Sequence, residues 1–143
     1  MTHNRIKLAA IAVLLLLATA LARAAIPKLS PDELKQRATH IVTGEVRAVY
    51  SLESGDRPDY ADRKFCVELT PSAIEKGEGL KEGRALYVRT WRPAKRPQAW
   101  TGSQGQSQIP EPNQRVRLYL KESKDGALDL LDPNGVEFIG DGK

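Results

Sequence analysis

The chain has 143 residues, of which 41% are hydrophobic and 28% charged, with a single cysteine. That length fits one domain and excludes a disulfide-rich mini-protein, a collagen-like chain and a polytopic membrane protein. The formal net charge of +4 overstates the basicity of the domain. Arg5, Lys7 and Arg23 fall in an N-terminal stretch without acids, and the remainder carries 19 basic against 18 acidic residues, near +1. Charge therefore does not point to nucleic acid.

The first 24 residues read as a secretory leader. Arg5 and Lys7 form a basic start, Leu8 to Ala22 is an uncharged apolar run of 15 residues, and Ala22-Arg23-Ala24 presents small residues at the positions a signal peptidase reads. This predicts cleavage before Ala25, with Ala18-Thr19-Ala20 as a second site that would cut before Leu21. As a helix the run would span about 22 Å, short of a hydrocarbon core of about 30 Å, so no permanent membrane span is expected. The mature chain, 25–143, is expected to be a single domain exported to the periplasm or the medium. Cys66 then has no intramolecular partner. The pattern around it favours a small apolar residue packed in or near the core over a reactive thiol.

Ser30-Pro31-Asp32-Glu33 combines a hydroxyl N-cap, proline in the first turn and glutamate three residues after the cap, which predicts a short helix ending near Thr39. Its apolar stripe is thin: Leu34, Ala38 and the stem of Arg37. The period then changes from 3.6 to 2. In His40 to Ser51, Val42, Val46, Ala48 and Tyr50 share one predicted face and Thr43, Glu45 and Arg47 the other. Gly44 on the inward face marks a bulge, a sharp coil or the close approach of another backbone.

Ser51 to Arg63 reads as a polar connection. A second strand carries Phe65, Val67 and Leu69 until Pro71 interrupts it, and Ala73 to Gly77 is the candidate to resume the sheet after that break. Ala85 to Trp91 is the third strand. Arg92 to Asn113, with four prolines and a run of Gly, Ser and Gln, is a long irregular connection of the kind that is usually functional or disordered. Arg115 to Lys121 is the fourth strand. Lys124-Asp125-Gly126 is a hairpin turn, Ala127 to Leu131 the fifth strand, and Val136 to Ile139 a short edge. The sum is a mainly β chain with one short N-terminal helix: a small five-stranded OB-like barrel, with a β-sandwich or jelly-roll fragment as the alternative.

The run Ala38-Thr39-His40-Ile41-Val42-Thr43-Gly44-Glu45-Val46 resembles the opening strand of netrin-like and metalloproteinase-inhibitor OB domains. The Lys76-Gly77 step, the Gly102 and Gly105 stretch, and Val116 to Leu120 followed by the Gly126 hairpin are similar to the rest of that layout. Small uncharacterised secreted bacterial proteins share the pattern. The resemblance implies the fold alone. The inhibitors chelate a protease zinc through a disulfide-tethered N-terminal cysteine, whereas this chain has its one cysteine inside a strand, so no functional residue carries over.

Catalytic signals are sparse, and the expectation is a protein that is not an enzyme and holds no cofactor or metal. His40 is the only histidine beyond the leader, which removes most triads and metal sets. A Cys66–His40 pair, serving a small thiol enzyme or hydrolase, is the catalytic alternative. No spacing singles out a pair among the carboxylates, and no phosphate-binding loop follows the glycines at 77, 79 and 83. The strongest local feature is Arg84 to Trp100, which holds basic residues without one acid. Its Arg89, Trp91, Arg92, Lys95, Arg96 and Trp100 form the candidate binding set, because cations beside flat rings suit anionic or sugar-like ligands. The competing possibility is a solvated loop with one tryptophan buried as a plug. The expected role is an exported binding or interaction module whose partner is an unknown protein or an anionic polysaccharide. A structural subunit of an envelope assembly is a further alternative.

Overall fold

The computed structural model describes residues 26–140; the leader and its cleavage sites lie outside the described residues. The protein is mainly β with one short helix, as the periodicity predicts. Helix α1 (Pro31–Arg37) is followed by β1 (His40–Arg57), β2 (Tyr60–Lys76), β3 (Leu86–Lys95), β4 (Arg115–Glu122), β5 (Leu128–Leu130) and β6 (Val136–Phe138). The hydrogen-bonded order is β1-β2-β3-β5-β4, and β4 pairs back onto β1, so five strands form a ring with OB-like connectivity. The pairings are antiparallel except β3 with β5, which are parallel at Val88↔Leu128 and Arg89↔Asp129.

Ring closure depends on the first half of β1. Ile41 to Glu45 is paired with β2 on one side and with β4 on the other, and His40 with β4 alone. A strand held in two ladders at once must coil, and the register slips that allow it lie in β2, where Glu75 and Ser72 each stand without a partner between successive pairs. Gly44 faces Pro71 on one side and Val116 on the other. A Cβ on Gly44 would sit 2.4 Å from the Thr70 carbonyl oxygen, so the close approach its inward position predicted is present. Pro71 does not break β2, contrary to expectation. It sits beside the Ser72 bulge, where a ladder tolerates a missing N–H, and β2 runs through to Lys76.

Inside the ring, Val42, Val46, Val67, Leu69, Val88, Val116, Leu118, Leu120, Leu128 and Leu130 meet in one apolar cluster. A second, smaller cluster lies outside it. Leu34 of α1 and its C-cap Ala38 cover Ile41 and Tyr119, while Arg37 stays exposed, so its stem adds nothing to the stripe. The cap of α1 is formed as predicted: the Ser30 N–H donates to Glu33 Oε2 at 2.8 Å, and the Glu33 N–H to Ser30 Oγ at 3.3 Å. The helix ends at Arg37, two residues earlier than the pattern indicated.

Two further expectations fail for physical reasons. Arg47 is a bulge on β1: Val46 faces Leu69 and Ala48 faces Glu68, with Arg47 unpaired between them. The extra residue inverts the alternation, so Val49 packs against the core and Tyr50, expected inside, is 56% exposed. The polar segment 51–63 is not a loop. It continues the β1–β2 ladder through Ser51↔Phe65, Glu53↔Arg63 and Ser54↔Asp62 to a tight turn at Pro58 and Asp59. This arm extends past the part of β1 that β4 covers, so its faces carry polar side chains, and hydrophobic periodicity is silent there.

Gly44→Ala is expected to lower stability by about 1–3 kcal/mol, because the new methyl group drives β1 from the β2 backbone at the point of closure. Urea denaturation followed by circular dichroism measures the loss.

Candidate functional site

The outer face of the sheet, not the irregular loop, carries the main concavity. Cross-strand register places Tyr50, Cys66, Arg89 and Asp129 in one row across β1, β2, β3 and β5. Leu52, Lys64 and Trp91 form the next row. These residues, with Asp62, Phe65 and Asp132, line an open groove of about 770 Å³. Small-molecule sites commonly occupy about 300–1,000 Å³ and mix apolar walls with a few fixed polar groups.

The basic residues of the candidate set are mostly committed to acids from other strands. Arg89 donates to Asp129 at 2.7 Å and to Asp125 at 2.8 Å, which holds its guanidinium protonated well above the usual range. In return, Asp125 lies below the ordinary carboxylate range, chiefly through its bonds from Arg89. Burial pushes Asp129 up, but the bonds from Arg89 and the Ser123 hydroxyl outweigh it and leave the carboxyl lowered. Lys95 lies 3.7 Å from Glu53, which Arg63 also holds at 3.0 Å.

Arg96 is the most enclosed of the set, its side chain 10% exposed and ion-paired with Asp62. It donates to the Ala61 carbonyl at 2.7 Å, and its guanidinium lies 4.3 Å from the centre of the Tyr60 ring and 5.3 Å from that of Trp100. Trp100 in turn meets Tyr60 edge-on at 5.4 Å. Arg96 therefore clasps the loop after β3 to the β1–β2 arm. Arg92 is exposed, without an ion pair among the described residues, and alternates with Trp91 onto the opposite face of β3, in register with Arg63.

Of the candidate set, the structure brings only Arg89 and Trp91 into the groove. Trp91 is half-buried and is no plug inside the ring. Its Nε1–H donates to Asp132 Oδ2 at 3.0 Å, and the loop closes against it where the Gln106 N–H donates to the Trp91 carbonyl. Gly105 permits that approach: its φ is +61°, and a Cβ there would lie 2.4 Å from the same carbonyl oxygen. Asp132 Oδ1 is buried with no hydrogen-bond partner among the described residues. Tyr50, Leu52 and Lys64 escape the sequence analysis because only the Arg47 bulge and the paired arm put them on this face.

Cys66 is half-buried on the groove floor, outside the apolar cluster. The structure does not bring His40 to it. Cys66 faces Tyr50, ten residues along β1 from His40, and the His40 ring is engaged with Thr39 Oγ1 and the Glu78 carbonyl at the other end of the strand. At about 3.3 Å per residue the two are far beyond hydrogen-bond reach. Among the described residues no group of three His, Cys, Asp or Glu is placed to hold a metal ion, and no helix is long and apolar enough to cross a membrane. No protein-family model, curated protein or solved structure matches the chain.

Burial pushes the Asp132 carboxyl above its ordinary range, with the Trp91 N–H pulling the other way. The folded protein then holds this proton more tightly than the unfolded chain does, and the stabilisation is lost as pH rises through the folded pKa. Asp132→Asn, which keeps an acceptor for Trp91, is expected to be more stable than the wild type at neutral pH, with the difference vanishing in acid. Urea midpoints across a pH series read this directly.

Proposed function

We propose that this chain is an exported, non-catalytic binding module that seats an acidic glycan in the outer groove of its β1–β2–β3 face. The groove chemistry carries the reading. Tyr50, Leu52 and Trp91 offer ring faces and apolar surface, and Lys64 is a groove cation with no ion pair among the described residues. Asp132 Oδ1 is a buried acceptor without a donor among the described residues. A sugar ring stacks on an aromatic face, its hydroxyl satisfies the lone acceptor, and its carboxylate pairs with the ammonium.

This narrows the basic patch expected from Arg84 to Trp100. Arg89, Lys95 and Arg96 are neutralised by Asp125, Asp129, Glu53 and Asp62, so a broad polyanion surface has little support, and one acidic group per seated ligand fits better. The leader, with Arg5 and Lys7 before its apolar run, supports export, where cell-surface and envelope polysaccharides are the anionic polymers at hand. The netrin-like resemblance of Ala38 to Val46 accords with a binding domain of OB type, a fold whose strand 2–3 face often takes oligosaccharides.

Titration with oligogalacturonate, followed by tryptophan emission, is expected to saturate and to weaken with added salt. Lys64→Glu should raise Kd about tenfold or more, equivalent to about 1.4 kcal/mol, whereas Arg92→Gln should leave it nearly unchanged. The absence of any saturable response, or equal losses in both variants, overturns the proposal.

A further inference from the structure

The ring leaves one long strand edge open. On the side of β1 away from β2, β4 pairs only with His40 to Glu45. The Val46 N–H and carbonyl are then taken by Gln114 and Asn113. From Arg47 to Arg57, this edge has no backbone partner among the described residues. An unpaired strand edge exposes a row of N–H and C=O groups that templates another strand. This one carries two of the largest exposed apolar side chains of the protein, Tyr50 at 56% and Leu52 at 67%. The second cluster, α1 and the loops cover other surfaces and leave these two bare.

We propose that the open edge of β1 pairs antiparallel with the same edge of a second copy of this chain, about a two-fold axis at Ser51. A side chain faces its cross-strand partner only when both lie on the same face of the sheet, which restricts the possible registers. With Ser51 opposite Ser51, Tyr50 of each copy lies opposite Leu52 of the other, so two apolar pairs flank the seam. Ala48 then faces Ser54, Val49 faces Glu53, and no two like charges stand directly opposite one another.

The charges at the two ends of the edge select this occupant and its direction. At the base, Arg115 is exposed next to Gln114 with no ion pair among the described residues; near the tip, Asp56 is likewise exposed and unpaired. The shared ladder runs from Arg47 to Gly55 and stops where Gln114 already occupies the edge at Val46. There, Asp56 of the second copy abuts Arg115, and the symmetry makes the contact twice. A parallel arrangement would bring tip to tip and lose both contacts. Pairing also joins the two sheets edge to edge and sets the two outer grooves side by side.

Sedimentation equilibrium of the purified protein is expected to show a reversible dimer. Leu52→Lys, at a site exposed in the single chain, should keep the β spectrum and weaken dimerisation about tenfold or more. The register is tested in a Cys66→Ser background: Ser51→Cys should form a disulfide-linked dimer on mild oxidation, and Glu53→Cys, which faces Val49, should lag far behind. A monomer at all concentrations, a dimer indifferent to Leu52→Lys, or cross-linking as fast at 53 as at 51 overturns the proposal. A monomer that instead takes another protein's strand on this edge counts equally against it.

Discussion

The double pairing of Ile41 to Glu45 governs this structure. One five-residue stretch of β1 is bonded to β2 and β4 at once, and that alone turns a meander into a ring. The geometry requires the backbones of β1 and β2 to touch at Gly44, and it requires spare residues in β2 at Ser72 and Glu75 to absorb the coil. With closure in place, the inward side chains of all five strands share one apolar interior, which has to stabilise the chain without a covalent cross-link. The outer cluster around Leu34, Ile41 and Tyr119 is secondary, since α1 has a surface to cover only once β1 and β4 are side by side.

Closure has a geometric consequence for β1 and β2. They are far longer than the ring needs, and β4 lets go of β1 after Glu45. The surplus becomes an arm, held by its own ladder and clasped to the loop after β3 by Arg96 between Tyr60, Asp62 and Trp100. The arm supplies one wall of the outer groove and one unpaired edge. Groove wall and open edge are thus both products of strand length exceeding ring size.

The charge pattern shows why a window of sequence misleads about electrostatics. Arg84 to Trp100 is free of acids along the chain, yet in space Arg89, Lys95 and Arg96 each meet carboxylates that enter from β1, β2, β5 or the turn before β5. Pairing at these distances weakens the long-range field of the strip and leaves local features in the groove: Lys64 without an ion pair and an acceptor on Asp132 without a donor among the described residues, and rings. What looks like a basic patch along the chain becomes, in space, a groove with few uncommitted charges.

The sequence by itself determined what local physics controls. The capping box at Ser30 and Glu33 placed α1, the alternation of Val42, Val67, Val88, Leu118 and Leu130 defined the inward faces, and Gly44 marked the close approach of backbones. It could not locate what depends on pairing. The arm of 51–63 is polar on its faces and so lacks any periodic signal, yet backbone hydrogen bonds make it a ladder. The bulge at Arg47 inverts every side chain beyond it, because a strand alternates with a period of two and one extra residue moves Tyr50 from the core to the surface. Alternation can be read from neighbours in the chain, but register is fixed by neighbours in space, and register alone set Tyr50, Cys66, Arg89 and Asp129 in one row.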